Sequence, residues 1–544
     1  MQGSRISTPR RRAGVAFGAA VLVLALAGGP AIAGDGGNGT QPVDFLHNNL
    51  QDAPVPGAVF GTAPAAKIGT PICTTTTSDA ANVNTDCEGT GPHNETSIAV
   101  NPTNPLNMIG GLNDYQLAIN PGGHVSETVL SRAHVTFDGG KTWTTYPIYS
   151  NSTYQGTGDP SIAFDATGNA YYATLGFRFV GPYFAQNPDV VVQTSKDGGV
   201  TWSQARVASG SGNSTSVGDS LDKEYVAAWG DGNAIVTWGL FRQGPHGGLL
   251  SARIYASVTH DAGATWSMPA LISGSLDQAF VATPTVAADG SIFVSFLNTT
   301  DLKTGRDDVE VVKVSPADGH ALADPVKVAT AIDGATDYPI AFYRQTYQDS
   351  AFRSWAAGNI TADPTDASHL AVVWSDMRDS TLPAPADPYS ATTNSDIVVS
   401  QSFDGGKTWS EEPTALAIPN DQFMPWGAYD AGGLLRIGFF DRSYDPANHA
   451  YGYTLATETA PGSLAFTTQQ VTTTLSDPTQ HTRWFSGTTL NKDFPNPTSF
   501  LGDYSNIAVV PGGGVVAYWT DMRNSVSFAG RTGSGEDGYF AAIP

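Results

Sequence analysis

The chain has 544 residues, 60 of them glycine and 35 proline, and a formal charge of −23. Such a field repels phosphate backbones and anionic lipid, so nucleic acid is excluded as a partner, and any acidic substrate would need a local cluster of arginines. Many Thr, Val, Ala and Trp with few Lys or Glu suit short strands joined by tight turns, and helix-period segments are scarce.

In chain order, Arg5, Arg10, Arg11 and Arg12 precede an apolar run from Ala13 to Ala27, and Ala31-Ile32-Ala33 offers a cleavage site. Residues 1–33 therefore read as a signal peptide and the protein as secreted, with twin-arginine export left open by Arg11-Arg12. Losing those four arginines takes the formal charge from −23 to −27. The apolar run is short for a membrane span, and no second segment of spanning length follows, so no span is expected in the mature chain. A retained N-terminal anchor is the alternative.

Residues 34–94 form an N-terminal segment holding the only cysteines, Cys73 and Cys87. In an exported chain this pair is expected as one disulfide closing a small loop. A metal at the cysteines is set aside, because two thiolates without nearby histidines fall short of four ligands.

Four segments then share Ser/Thr-x-Asp-x-Gly-x-Thr-Trp: Thr136 to Trp143, Ser195 to Trp202, Thr259 to Trp266 and Ser402 to Trp409. In such an octet a short carboxylate (Asp138, Asp197, Asp261, Asp404) can accept turn amides, Gly supplies positive φ, and Trp plugs the core beside the turn. The octet is the Asp box, and here the chain resembles the sialidase-like propeller proteins built on bacterial-neuraminidase repeats. The resemblance implies a structural role for these four Asp residues, on the face opposite the family's active site.

A second repeat sets the blade count. An apolar strand, a turn and another apolar strand with a polar end begin near Ser97, Ser161, Tyr225, Pro284, Asn359, Trp426 and Ser505. Third strands such as Asp189 to Gln193 and Asp396 to Ser400 follow, then an octet or its remnant, as at Ser315 to Gly319 and Pro461 to Phe466. The expectation is an all-β, seven-bladed β-propeller of four-stranded antiparallel blades over residues 95–544, with the six blades familiar from sialidases as the alternative. The seventh copy ends after its third strand, Gly538 to Ala542, so its fourth strand must come from elsewhere, and the stretch from Pro42 to Phe60 is the expected donor.

In such blades the octet shares a face with the turn between strands one and two. The opposite face collects the unusual residues. The exits of strand two carry Asp114, Arg178, Arg242, Arg378, Arg442 and Arg523, and the entries to strand one carry Glu95, Asp159, Asp222, Glu224, Asp503 and Tyr504. Two long loops add aromatic residues that suit sugar stacking, Tyr347, Phe352 and Trp355 in one and His481, Trp484 and Phe485 in the other. Sialidases hold a carboxylate with three arginines, use a Tyr assisted by a Glu as nucleophile and an Asp as acid/base. By position the resemblance implies Asp114, Glu224, Tyr504 and Asp503 as catalytic candidates, and Arg178, Arg242, Arg378, Arg442, Arg523, Trp355 and Trp484 as substrate-binding ones.

The family's Phe/Tyr-Arg-Ile-Pro motif is missing, and Arg132 is the only arginine between Gly34 and Asp138. Asp-x-Arg at one blade position also suits a structural pair, and the aromatic loops suit satellite cores. Two functions stay open: a secreted, exo-sialidase-like glycoside hydrolase acting on an extracellular glycan, or a non-catalytic propeller binding glycan or protein at the cell surface. No cofactor is expected. The acidic ring could hold a structural calcium, though no sequential Asp-x-Asp-x-Asp loop supports it. A monomer is expected.

Overall fold

The computed structural model describes residues 67–75, 79–89, 91–119, 125–149, 154, 156–178, 186–213, 217–244, 249–301, 306–332, 347, 352, 354–380, 392–478, 501–528 and 531–544. Every regular element in them is a strand, and the strands form seven antiparallel blades, with a small extra hairpin, Ser525–Phe528 with Arg531–Ser534, beside the last. The innermost strands are His93–Val100, Gly156–Phe164, Gly218–Trp229, Ala279–Val286, Gly358–Ala362, Gln422–Tyr429 and Asn506–Val509. Within each blade the middle strands are buried on both faces, which is why Ala170–Phe177 and Leu370–Asp376 read as continuous apolar runs rather than alternating ones.

The core lies between blades. Ile109, Ala133 and Val135 of blade one pack on Ile162, Tyr172 and Val191 of blade two. At the seam, Ile98, Met108, Leu112 and Trp143 of blade one meet Val516, Tyr518 and Phe540 of blade seven. Near the axis one position of the inner strand staples neighbouring blades: Ser97 Oγ accepts the Ile162 amide at 3.0 Å, Ser161 Oγ that of Val226 at 3.0 Å, and Asn359 Oδ1 that of Gly427 at 2.7 Å. Asn506 Oδ1 does the same across the seam to Ile98, at 3.4 Å.

The ring closes as a mixed blade, but with a different donor from the one expected. Val83–Asn84, just ahead of Cys87, pairs with Asp537–Ile543 as the outer strand of blade seven. Pro42 to Phe60 lies outside the described residues. Cys73 and Cys87 are bonded, with Cα atoms 5.9 Å apart. The bond holds that strand beside Cys73–Thr74, which adds a fifth strand to blade one.

In all four octets the Asp accepts both the amide and the hydroxyl of the Thr four residues on. Asp138 Oδ1 accepts the amides of Lys141 and Thr142, both at 3.0 Å, its Oδ2 accepts the Thr142 hydroxyl at 2.8 Å, and Trp143 Nε1 donates to Gly140 O at 3.1 Å. Trp143 and Trp202 are buried with Nε1 bonded to a turn carbonyl, whereas Trp266 and Trp409 are only partly buried and their Nε1 atoms have no hydrogen-bond partner among the described residues, so the tryptophan plug is complete in two of the four octets. These turns sit with the strand-one-to-two turns, as the Gly139 amide on Leu106 O and the Gly405 amide on Ser368 O record. The entries to strand one and exits from strand two therefore open on the other face.

Candidate functional site

The inner strands of five blades share a break in pairing, two residues wide, between Asn94 and Ser97, Gly158 and Ser161, Asp222 and Tyr225, Phe280 and Thr283, and Phe423 and Trp426. The first residue of each bulge is left-handed: Glu95 at φ 55°, Asp159 at 56°, Lys223 at 55°, Val281 at 53° and Met424 at 49°. Each costs roughly 1–2 kcal/mol of backbone strain. Because apolar Val281 and Met424 share it, the strain belongs to the fold, and the chemistry lies in which side chains the bulges carry.

Four blades meet through Lys223. Its Nζ lies 2.7 Å from Asp159 Oδ2, 2.7 Å from Asp503 Oδ2 and 3.1 Å from Glu95 Oε1. Carboxylates from blades two, seven and one can reach one ammonium from blade three only near the axis. Glu95, Asp159, Lys223 and Asp503 are all buried. Glu95 Oε2 also accepts Asn113 Nδ2 at 2.7 Å, and Asp503 Oδ1 accepts Trp355 Nε1 at 2.8 Å. Gly502 leads into the cluster at φ 87°, where a Cβ would lie 2.6 Å from the Glu95 amide nitrogen. Only glycine serves that approach.

Burial opposes the Lys223 charge, but Asp159, Asp503 and Glu95 outweigh it and hold the ammonium charged. Burial and then the Asp159 charge lift the Glu95 carboxyl well above the usual carboxylate range, Lys223 offsetting only part. Glu224, next in the bulge, is lifted well above it mainly by burial, and neither of its carboxylate oxygens has a hydrogen-bond partner among the described residues.

Tyr504 closes the cluster. It lies 5.7 Å from Lys223 Nζ and packs edge-on to Tyr225 at 5.6 Å, with its hydroxyl donating to Pro160 O at 3.1 Å. Burial, then Glu95 and Asp159, push that hydroxyl well above the usual phenol range. The arrangement works against a tyrosinate nucleophile, since the nearest carboxylates raise the pKa of the group they would have to activate.

The other candidates do not join this cluster. Asp114, expected as an acid/base, is buried between His93 and His134, 3.1 and 3.5 Å from their Nε2 atoms. Arg442, expected to bind substrate, is fully buried, 3.5 Å from Asp421 and capped by the rings of Phe352 and Phe423 at 5.3 and 5.8 Å. Arg378 and Arg523 fold back on Asp376 and Asp521 of their own motifs, each through two hydrogen bonds of 2.7 to 3.0 Å. Those carboxylates also accept Trp374 and Trp519 Nε1, so Trp-x-Asp-x-Arg closes on itself, and Arg523 in addition donates to Thr473 Oγ1 and Asn82 Oδ1, both at 2.9 Å. Arg178 pairs with Asp189 at 3.1 Å and Arg242 with Asp219 at 2.7 Å. Each arginine is thus neutralised within its own blade. Trp355 is buried, and Trp484 lies outside the described residues.

Sequence reasoning passed over Lys223. Its signal was a single lysine within Asp222-Lys223-Glu224, at the blade position where Glu95 and Asp159 stand.

No family model matches this chain and no curated protein is similar to it. Solved structures similar to it include a Hadza microbial sialidase at 11% identity and TM-score 0.40, covering 77% of this chain and 75% of that one. A Penicillium chrysogenum α-L-arabinanase is similar at 12% identity and TM-score 0.40, covering 84% and 97%. The NanB sialidase of Streptococcus pneumoniae matches at 9% identity and TM-score 0.41, covering 80% and 83%. At such identity and overlap these likenesses carry no argument about chemistry. Among the described residues no helix is long and apolar enough to cross a membrane.

Proposed function

We propose that this chain is an exported, glycan-directed propeller that acts as a glycoside hydrolase through a carboxyl pair, Glu95 with Asp159, rather than through Tyr504 and an arginine trio. The observation that carries this reading is the axial cluster, where Glu95 and Asp159 flank one Lys223 ammonium and burial and the Asp159 charge raise the Glu95 carboxyl well above the usual carboxylate range. In glycosidic cleavage a carboxylic acid gives its proton to the leaving oxygen while a carboxylate stabilises the charge that develops on the sugar, and water then supplies the hydroxyl that bonds to the sugar and the proton that restores the acid. Lys223 and Asn113 orient the pair. Since every candidate arginine is matched to its own carboxylate and the chain is strongly acidic, the substrate is a neutral glycan rather than a sialoside or uronide.

The second reading, a propeller that binds glycan without cleaving it, is favoured by one observation: Glu95 and Asp159 are each only 1% exposed. The two separate on a panel of fluorogenic neutral glycosides, uronides and sialosides. Hydrolysis of a neutral glycoside that falls by about 10²-fold or more in Glu95→Gln and survives in Tyr504→Phe supports the carboxyl pair. Loss in Tyr504→Phe with Glu95→Gln active would restore the sialidase-type assignment. An intact panel with strong glycan-array binding would leave the binding propeller.

A further inference from the structure

A second buried polar cluster lies away from Lys223, where the N-terminal segment joins blades one and seven. His93 Nε2 is 3.1 Å from Asp114 Oδ1 and 3.3 Å from Asp86 Oδ1, and His134 Nε2 is 3.5 Å from Asp114 Oδ1. The donor atoms of Asp86, His93 and Asp114 all lie within 4.8 Å of one another, and all four side chains are almost wholly buried.

Three features separate this from an ordinary ion pair. First, His93 Nδ1 lies 3.2 Å from Glu536 O and His134 Nδ1 3.3 Å from Thr85 O. A carbonyl only accepts, so His93 Nδ1 carries hydrogen and its Nε2 faces the two carboxylates, while His134 Nδ1 is shared between Thr85 O and the Thr145 hydroxyl at 3.2 Å. Only a cation between them, a second ring proton or a metal ion, holds His93 Nε2 against two carboxylates at 3.1 and 3.3 Å. Second, although the distances suit hydrogen bonds, the directions do not: neither Nε2 atom nor either Asp114 oxygen has a hydrogen-bond partner among the described residues. Third, nitrogen and oxygen donors at 2.0–2.1 Å from a tetrahedral ion sit about 3.3 Å apart, close to the 3.1 and 3.3 Å of His93 Nε2 from Asp114 and Asp86.

We propose that Asp86, His93 and Asp114 bind one structural zinc ion, with His134 beside Asp114 as that carboxylate's outer partner. Nitrogen and carboxylate donors in that number suit zinc better than calcium, which takes six or more oxygens. The outer contacts match those of a metal site, with imidazole Nδ1 atoms anchored on backbone carbonyls and Asp86 itself held by the Glu88 amide on Oδ1 at 2.9 Å and the Gly89 amide on Oδ2 at 3.3 Å. The ion would tie the disulfide loop, through Asp86, to the first and second strands of blade one, through His93 and Asp114. It would thereby lock Val83–Asn84 onto blade seven.

The test uses the purified full chain. Elemental analysis after dialysis should find about one zinc per chain, and dipicolinate should strip it and lower the melting temperature, with added zinc restoring both. His93→Gln and Asp86→Asn should each abolish the zinc-dependent part of the melting shift, so the comparison of wild type with and without chelator still decides if a variant fails to fold. A chain that holds no zinc and melts at the same temperature with chelator, zinc or calcium would overturn the site. Retention of calcium alone would overturn the zinc assignment.

Discussion

In the octet turns every side-chain bond from the Asp closes within four residues, as from Asp404 to Lys407, to Thr408 and to Ser402. On the opposite face, Lys223 is bonded to partners 64 and 128 residues away, and Trp355 to one 148 away. A turn that satisfies its own carboxylate needs only its own hairpin. The axial cluster exists only when blades one, two, three and seven are in place, so it reports closure of the ring, and Lys223 meets Glu95, Asp159 and Asp503 only then. The contrast teaches that one rim of the disc is stabilised locally and the other cooperatively.

The largest effect should therefore come from Lys223. In Lys223→Met three buried carboxyls lose their shared cation, and leaving such charge uncompensated costs about 3–5 kcal/mol. Urea unfolding should show this as a lower midpoint. A cost under about 1 kcal/mol would mean that the carboxylates find water or each other, and the cooperative account of that face would fail.

The same contrast explains what was legible in the sequence. The octets and the strand–turn–strand copies are local patterns, and they carried the seven blades and the face on which each turn lies. The blade-closing strand was misplaced because Val83–Asn84 is only two residues long and pairs with residues more than 450 positions away, which no local pattern encodes. Asp-x-Arg was legible as a motif, but not that Asp376 and Asp521 turn back on their own arginines, because the clasp depends on strand-end geometry. His93, His134 and Asp86 were not legible as a set, because the two histidines stand in different strands and meet Asp114 only once His93 is paired with it.

An intermediate effect is expected in the turns. Asp404→Asn keeps the size of the side chain but removes the charge that draws in the Thr408 hydroxyl and amide, so it should cost about 1 kcal/mol, discounted for exposure to solvent. Those two contacts, the hydroxyl first, bring the carboxyl down to about 2. A depressed folded-state pKa stabilises above the unfolded value near 4 and loses that contribution as pH falls through about 2. The gap between wild type and Asp404→Asn in thermal melts should accordingly close between about pH 4 and pH 2. A gap that stays constant there would show that the carboxylate charge does not hold the turn.

The smallest effect at acid pH, and the one of opposite sign, belongs to Glu95. Its folded-state pKa is raised, so the folded protein holds a proton that the unfolded chain releases near pH 4 to 5. The stabilisation from that proton is complete below the unfolded pKa and drains away as pH rises toward the folded one. Glu95→Gln supplies a permanent neutral hydrogen-bonding group in its place. The variant should match wild type within about 0.5 kcal/mol at low pH and become relatively more stable as the solution is made alkaline. Parallel melting curves across that range would mean Glu95 is ionised when folded, with Lys223 neutralising it, and the division of labour with Asp159 would lose its proton donor.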